Sequence, residues 1–348
     1  MEIFLKSIYE NTTMTDKEYF AFDAISQSSI KDFIENRKSY EYNHVLKIGE
    51  NKHTKAMDLG SLNHCLLFEP QEFHNRYAHF SGAVPSSANQ KKFVELINAE
   101  TTNLTVEDAY ANSYSTKGLK PADISKKAFD LLQELTPYSM FMKHNGHKEM
   151  ITPELEIQSR RMVEIVLNHS GVVKTLVSGR ANPNFKIYKE HSIVLEDQRF
   201  GRMIKCKVDE MHVDVKNHII YAYDYKTTRS QNTNSFKGSV RYYGYDIQES
   251  FYATYIKQWA KVEFGTDFKV VFRFIPQLNI APYNVLDVIE FDEDDREQAY
   301  LRWSEAFEQL SECLSTGRFD NPSAYSDSGV NVMKLNNTET YLINTDSF

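Results

Sequence analysis

The apolar pattern changes period along the chain. From Phe185 to Thr228 it is a strand pattern, rich in β-branched and aromatic residues and free of Pro. Phe185–Leu195 predicts a first strand, Phe200–Val215 a second and Ile219–Thr228 a third. Asp197-Gln198-Arg199 and Val215-Lys216-Asn217-His218 are short connections, so the three strands make an antiparallel meander. On both sides of it the period is helical. Ser26 or Ser28 caps a helix whose apolar side holds Ile30, Phe33 and Tyr40. Lys55–Phe68 is apolar nearly all round, which predicts a buried helix ending at Glu69-Pro70. Residues 71–150 are more polar, with helices expected at about 88–100 and 121–135. Thr152-Pro153 opens another helix, expected over 152–180. After the meander come a helix from Gly244 through Trp259, strands at about 268–277 and 284–291, and a long helix over 293–315 before Gly317.

These elements predict one domain over 25–320, with 71–150 as a helical elaboration. A polar lead is expected over 1–24 and a loosely ordered tail over 321–348. At 348 residues, with 41% hydrophobic and 25% charged residues, the chain has a globular composition. The net charge of −8 argues against polyanion binding by bulk charge but leaves room for a local basic groove. Cys65, Cys206 and Cys313 are far apart, so neither a zinc ribbon nor a four-cysteine iron–sulfur cluster is expected. Unpaired cysteines, no basic-then-apolar leader and no membrane-length apolar run suit a cytoplasmic protein.

The candidate chemistry starts on the third strand. Side chains two apart share a face, so Asp224 and Lys226 point one way and Tyr223, Tyr225 and Thr227 the other. Asp209 lies on the second strand at a distance that brings both carboxylates to one end of the sheet. Two converging carboxylates repel unless a cation holds them, and hard oxygen ligands select Mg²⁺ or Mn²⁺. Lys226 could then orient a water or stabilise charge growing on a phosphate oxygen. His64, alone in an apolar helix, would ordinarily be a hydrogen-bonded core residue. Gly60, one turn earlier, lets a neighbour approach closely.

Asp209 followed by Asp224-Tyr225-Lys226 resembles the D…(D/E)xK core of the PD-(D/E)xK nuclease superfamily, and within it the RecE type, exodeoxyribonuclease VIII and its phage relatives. Four further stretches support the resemblance. Ile25-Ser26-Gln27-Ser28-Ser29-Ile30 is similar to the family's Ser-x-Ser helix. Gly60-Ser61-Leu62-Asn63-His64 is similar to its His-bearing helix. Lys205-Cys206-Lys207-Val208-Asp209 is similar to its Lys-Cys-Arg-Pro-Asp strand, with Lys207 for Arg and Val208 for Pro. Gln248-Glu249-Ser250-Phe251-Tyr252 fits its Q-x-x-x-Y helix.

The resemblance implies a restriction-endonuclease-like α/β core: a mixed sheet with an antiparallel meander, flanked by helices. It implies that His64, Asp209, Asp224 and the Tyr225 carbonyl bind divalent metal and that Lys226 is the catalytic lysine, with Asp209 and Asp224. Gln248 and Tyr252 share a helix face that would border the DNA. Arg229, Arg241 and Ser28 are further candidate DNA contacts. Glu190 and Glu154 are candidate extra acidic groups. The implied substrate is linear double-stranded DNA degraded 5′ to 3′, by a ring-shaped homo-oligomer with a RecT-like annealing partner. From Arg199 to Arg241 basic residues outnumber acidic ones, as a phosphate-contacting groove requires, although solvated strand faces account equally for Lys216 and Lys237. Two other readings stay open. One is a RecB-like or CRISPR-associated nuclease of other polarity, the four-cysteine kind being disfavoured here. The other is a DNA-binding protein with the same fold and no activity.

Overall fold

The computed structural model describes residues 14–49, 55–99 and 104–320; the start of the predicted lead and the predicted tail over 321–348 lie outside them. The chain divides into two compact units. One takes the chain up to Phe68 and from Met162 onward, and the other is Glu69–Arg161.

The larger unit opens with α1 (Asp16–Ala21), started by a capping box between Thr15 and Glu18. Ile25 then forms a parallel bridge to Ile204. Ser26 caps α2 (Gln27–Glu35), accepting from the Ser29 amide, and α2 buries Ile30 and Phe33. Next comes α3 (Lys55–Phe68), with the predicted bounds.

In the smaller unit, β1 (Tyr77–His79) pairs in parallel with β2 (Glu149–Ile151). Between them lie α4 (Ala88–Asn98), α5 (Val106–Ser113) and α6 (Pro121–Asn145). They share a core that includes Phe93, Ala109, Tyr110, Ala128 and Leu135. The sequence reading ends α6 near 135, but the helix continues through Pro137. The proline lacks the N–H that would bond the Gln133 carbonyl, and one residue earlier the Thr136 hydroxyl donates to the Leu132 carbonyl (2.6 Å).

The chain re-enters the larger unit within α7 (Pro153–Asn168). The single helix expected over 152–180 is broken here. His169 is extended, and short helical turns carry the chain to Arg180. The predicted meander comes next: β3 (Phe185–Asp197), β4 (Arg202–Asp214) and β5 (Ile219–Thr228). Two helices, α8 (Thr233–Tyr243) and α9 (Tyr245–Phe264), meet at Gly244, whose φ of 68° makes the sharp turn between them. They lead to β6 (Lys269–Leu278), parallel to β5, so the sheet is mixed with order β3-β4-β5-β6. The strand expected over 284–291 is reduced to isolated bridges, Phe274–Ile289 and Gln277–Val285, which are one residue out of register with each other. The unit closes with α10 (Glu293–Thr316) and its left-handed cap Gly317.

α2, α9 and α10 build the core against the sheet. Phe251, Trp259, Trp303 and Phe307 pack with Ile220, Ala222, Phe272 and Phe274. Each of the Ile and Phe side chains contributes about 1.5–3 kcal/mol on burial. Trp303 is placed by its indole N–H, which donates to Ser250 Oγ (3.0 Å). None of the described helices is long and apolar enough to cross a membrane. The three cysteines are buried.

One irregularity in the sheet repositions two carboxylates. On β4, Ile204, Cys206 and Val208 face this core, and so do Met211 and Val213. Parity therefore switches between 208 and 211. The partner strand switches at the same level: Lys189 pairs with Glu210 and His191 with Val208, while Glu190 between them takes φ 46°. Both strands exchange faces at the 190/209 level without losing register, and this turns Glu190 and Asp209 out of the regular pleat.

Candidate metal centre

β4 and β5 stay paired only as far as Glu210–Tyr223. Beyond that level they part, and the Asp209 carboxylate fills the fork, its Oδ2 accepting from the Tyr225 amide (2.8 Å). His64 reaches the same place from α3. Its Nε2 lies 3.0 Å from the Tyr225 carbonyl, and its Nδ1 lies 3.4 Å from Asp209 Oδ2 and 4.0 Å from Glu190 Oε1. His64, Glu190 and Asp209 each offer a ligating atom, all within 4.8 Å of one another.

The electrostatics of this cluster are unbalanced. Burial, then repulsion from Asp224 and Glu190, holds the Asp209 carboxyl well above the usual range, against the pull of Lys226 and the Tyr225 amide. Burial also lowers the His64 pKa, against the attraction of Glu190 and Asp224. Yet His64 has a carbonyl at one ring nitrogen and carboxylates at the other, surroundings that only the imidazolium would satisfy by donating twice. An imidazole and two carboxylates, short of positive charge and close enough to share one ion, fit a divalent cation by the chemistry of their donors.

The Asp224 carboxylate is engaged differently. Its Oδ1 accepts from Gln248 Nε2 (2.6 Å), and its Oδ2 lies 2.7 Å from Lys226 Nζ. Burial works to lower the Lys226 pKa, but Asp224, Asp209 and Tyr245 outweigh it and hold the ammonium above its usual value. Lys226 also sits over the Tyr245 ring, 5.2 Å from its centroid. Lys207 pairs with Glu190 at 2.9 Å.

Support behind these groups is extensive. The Tyr225 side chain faces away from Asp224, as strand alternation requires. Its hydroxyl donates to Gln277 Oε1 (2.6 Å) and accepts from Asn63 Nδ2 (3.0 Å). Arg180 grips the fully buried Glu210 through Nε (2.8 Å) and Nη2 (2.6 Å). Its Nη2 also donates to the Leu67 carbonyl (3.0 Å), at the end of the His64 helix. Gly60 faces Thr227, where an added Cβ would meet the hydroxyl at an ordinary 3.8 Å.

The fold thus brings together His64, Asp209, Asp224, Tyr225, Lys226 and Gln248. Tyr252 is half-buried one turn beyond Gln248, near enough to Asp224 and Asp209 for their charge to reinforce the effect of burial in raising its pKa. Ser28 lies in α2, its hydroxyl 2.9 Å from that of Ser26. Arg229, just after β5, and Arg241, on α8, are exposed. Glu190 joins the metal-competent cluster. Glu154 is exposed, belongs to the smaller unit and is not part of that cluster. Sequence periodicity gives Glu190 no special mark, but counting back across the β3–β4 turn places it opposite Asp209. The roles of Asn63, Lys207 and Arg180 escaped the sequence reading because each acts through a contact distant in sequence.

A mixed sheet carrying an Asp, then Asp-x-Lys, at a fork between two strands defines a PD-(D/E)xK-type protein. Residues 26–324 match the family described as "PDDEXK-like domain of unknown function (DUF3799)", and the chain belongs to that family. No curated protein matches it in sequence. Among solved structures it is similar to a provisionally named exonuclease from Eubacterium rectale. The TM-score is 0.48 at 12% identity, covering 93% of this chain and 96% of the other.

Proposed function

We propose that this protein is a metal-dependent exodeoxyribonuclease of the RecE type, hydrolysing linear double-stranded DNA from 5′ to 3′. The observation that carries the reading is the His64–Glu190–Asp209 cluster beside the Asp224–Lys226 pair. In this reading His64, Asp209, Asp224 and the Tyr225 carbonyl hold Mg²⁺, or Mn²⁺ in its place, with Glu190 as a further ligand. The bound cation supplies Lewis-acid stabilisation of charge on the scissile phosphate. Asp209 is held in place by the Tyr225 amide and Asp224 by Gln248. Lys226, kept cationic by its two carboxylates, orients the attacking water or stabilises the developing phosphate charge. Gln248, Tyr252, Ser28, Arg229 and Arg241 contact the DNA. The same resemblance extends the proposal to a ring-forming homo-oligomer acting in recombination with a RecT-like annealing protein.

The test is digestion of linear duplexes labelled at either the 5′ or the 3′ end, with and without Mg²⁺. Nucleotides should be released from the 5′ end only when metal is present. Asp224→Ala and Lys226→Ala should abolish release, and full activity in either variant would refute the roles given to those residues.

A further inference from the structure

A row of tyrosines leads away from Lys226 to the surface. The Tyr245 ring, under the ammonium, is stacked on Tyr243 with centroids 5.6 Å apart and planes at 24°. Tyr243 meets Tyr242 edge-on at 4.9 Å and 87°. Tyr243 is 49% and Tyr242 74% exposed. Rings this open at a helix end leave much of their surface to solvent, and the left-handed turn at Gly244 sets where they stand. Gly244 separates Tyr243 from Tyr245 at φ 68°, and its carbonyl accepts from Gln27 Nε2 (3.2 Å). The stretch of chain that carries these rings is basic. From Tyr225 to Tyr245 there is no acidic residue, whereas Lys226, Arg229, Lys237 and Arg241 all fall in this stretch. The next carboxylate, Asp246, is ion-paired with Arg302.

Rigid aromatic faces set in a basic, acid-free segment suit the unpaired bases of a DNA strand, which stack on such faces whatever their sequence while the phosphates meet the cations. We propose that Tyr243 and Tyr242 form a stacking platform for unpaired nucleotides at the end of the substrate, continuous with Lys226 through Tyr245. The platform would let the protein engage a duplex end bearing a single-stranded overhang better than a blunt one. The proposal rests on the nuclease reading for its substrate, and binding tests it separately from cleavage.

The experiment measures binding of the full chain, in EDTA, to two fluorescent duplexes, one blunt and one with a short overhang carrying 2-aminopurine. Cleavage of the unlabelled duplexes in Mg²⁺ is followed in parallel. Wild type should bind the overhang duplex more tightly and quench the 2-aminopurine. The double substitution Tyr242→Ala with Tyr243→Ala should weaken overhang binding about ten-fold or more. It should also remove the quenching and leave blunt-end binding within about two-fold. Tyr242→Phe with Tyr243→Phe keeps the rings and should behave as wild type. Unchanged overhang binding in the alanine variant, or an equal loss on both duplexes, would overturn the platform. Absence of cleavage by the wild type would overturn the nuclease reading alone, since the binding comparison is read without it.

Discussion

Replacing Asp209 by Asn separates charge from shape at the proposed centre. Asn Oδ1 can still accept from the Tyr225 amide, so the fork between β4 and β5 keeps its hydrogen bond. What disappears is one negative charge from a buried group with Glu190 and Asp224 nearby. At an effective dielectric of about 20, two unit charges about 5 Å apart repel by roughly 3 kcal/mol. Lys207 and Lys226 offset part of this, which leaves a net gain of about 1 kcal/mol for the metal-free variant. For a cooperative unit of about 250 residues that is roughly 2 °C in Tm. A ligand at 100 times its Kd adds about 2.7 kcal/mol, or roughly 5 °C on the same scale. The assay is thermal unfolding in EDTA and in excess Mn²⁺. Wild type should gain about 5 °C with Mn²⁺. Asp209→Asn should melt at or slightly above wild type in EDTA and gain nothing from Mn²⁺. A variant that melts several degrees lower in EDTA and still responds fully to Mn²⁺ would show that Asp209 is a structural carboxylate and refute this account.

Three other expectations come from the contacts. Gln248→Ala strips the donor from Asp224 Oδ1 and should cost about 1.5–3 kcal/mol of transition-state stabilisation, a fall of about ten-fold or more in cleavage rate, measured at saturating metal. Arg180→Ala leaves Glu210 buried without its main cation and should cost about 3–5 kcal/mol in urea unfolding, more than a double change that also replaces Glu210 with Gln. Glu249, nearly inaccessible on α9, has its pKa raised to about 7 by burial, even though it pairs with Arg296 at 2.6 Å. A raised folded-state pKa gives stability that is present below pH about 4.5 and lost as pH rises through about 7, worth up to about 3 kcal/mol. Melting curves from pH 5 to 8 should therefore decline in wild type and flatten in Glu249→Gln, and parallel declines would count against the assignment.

Much of this arrangement is legible in the amino-acid sequence. The meander is written in β-branched and aromatic runs with short turns between them, and its strand bounds fall within a few residues of those observed. Asp224 and Lys226 stand out because the strand period puts them on one face, whereas Gln248 is marked only by the resemblance to the family's Q-x-x-x-Y helix. Other features depend on tertiary context and leave no local mark. α6 runs through Pro137 although that residue has no N–H for the Gln133 carbonyl, so the helix outlasts a residue that ordinarily ends it. The segment over 284–291 has strand-like residues but slips one position between its two bridges. Glu190 and Asp209 break the alternation that periodicity relies on, so their meeting can be found only from the register across the turn.

The left-handed backbone of Glu190 carries one more consequence. A non-glycine residue at φ 46° in the middle of a ladder costs on the order of 1 kcal/mol or more, and glycine would relieve it. Any selection of variants for thermal resistance alone should therefore enrich Gly at this position, while selection for metal retention should hold Glu. Deep mutational scanning under the two pressures would show the residue changing rank between them, an address in the chain where durability and ion capture compete for the same side chain.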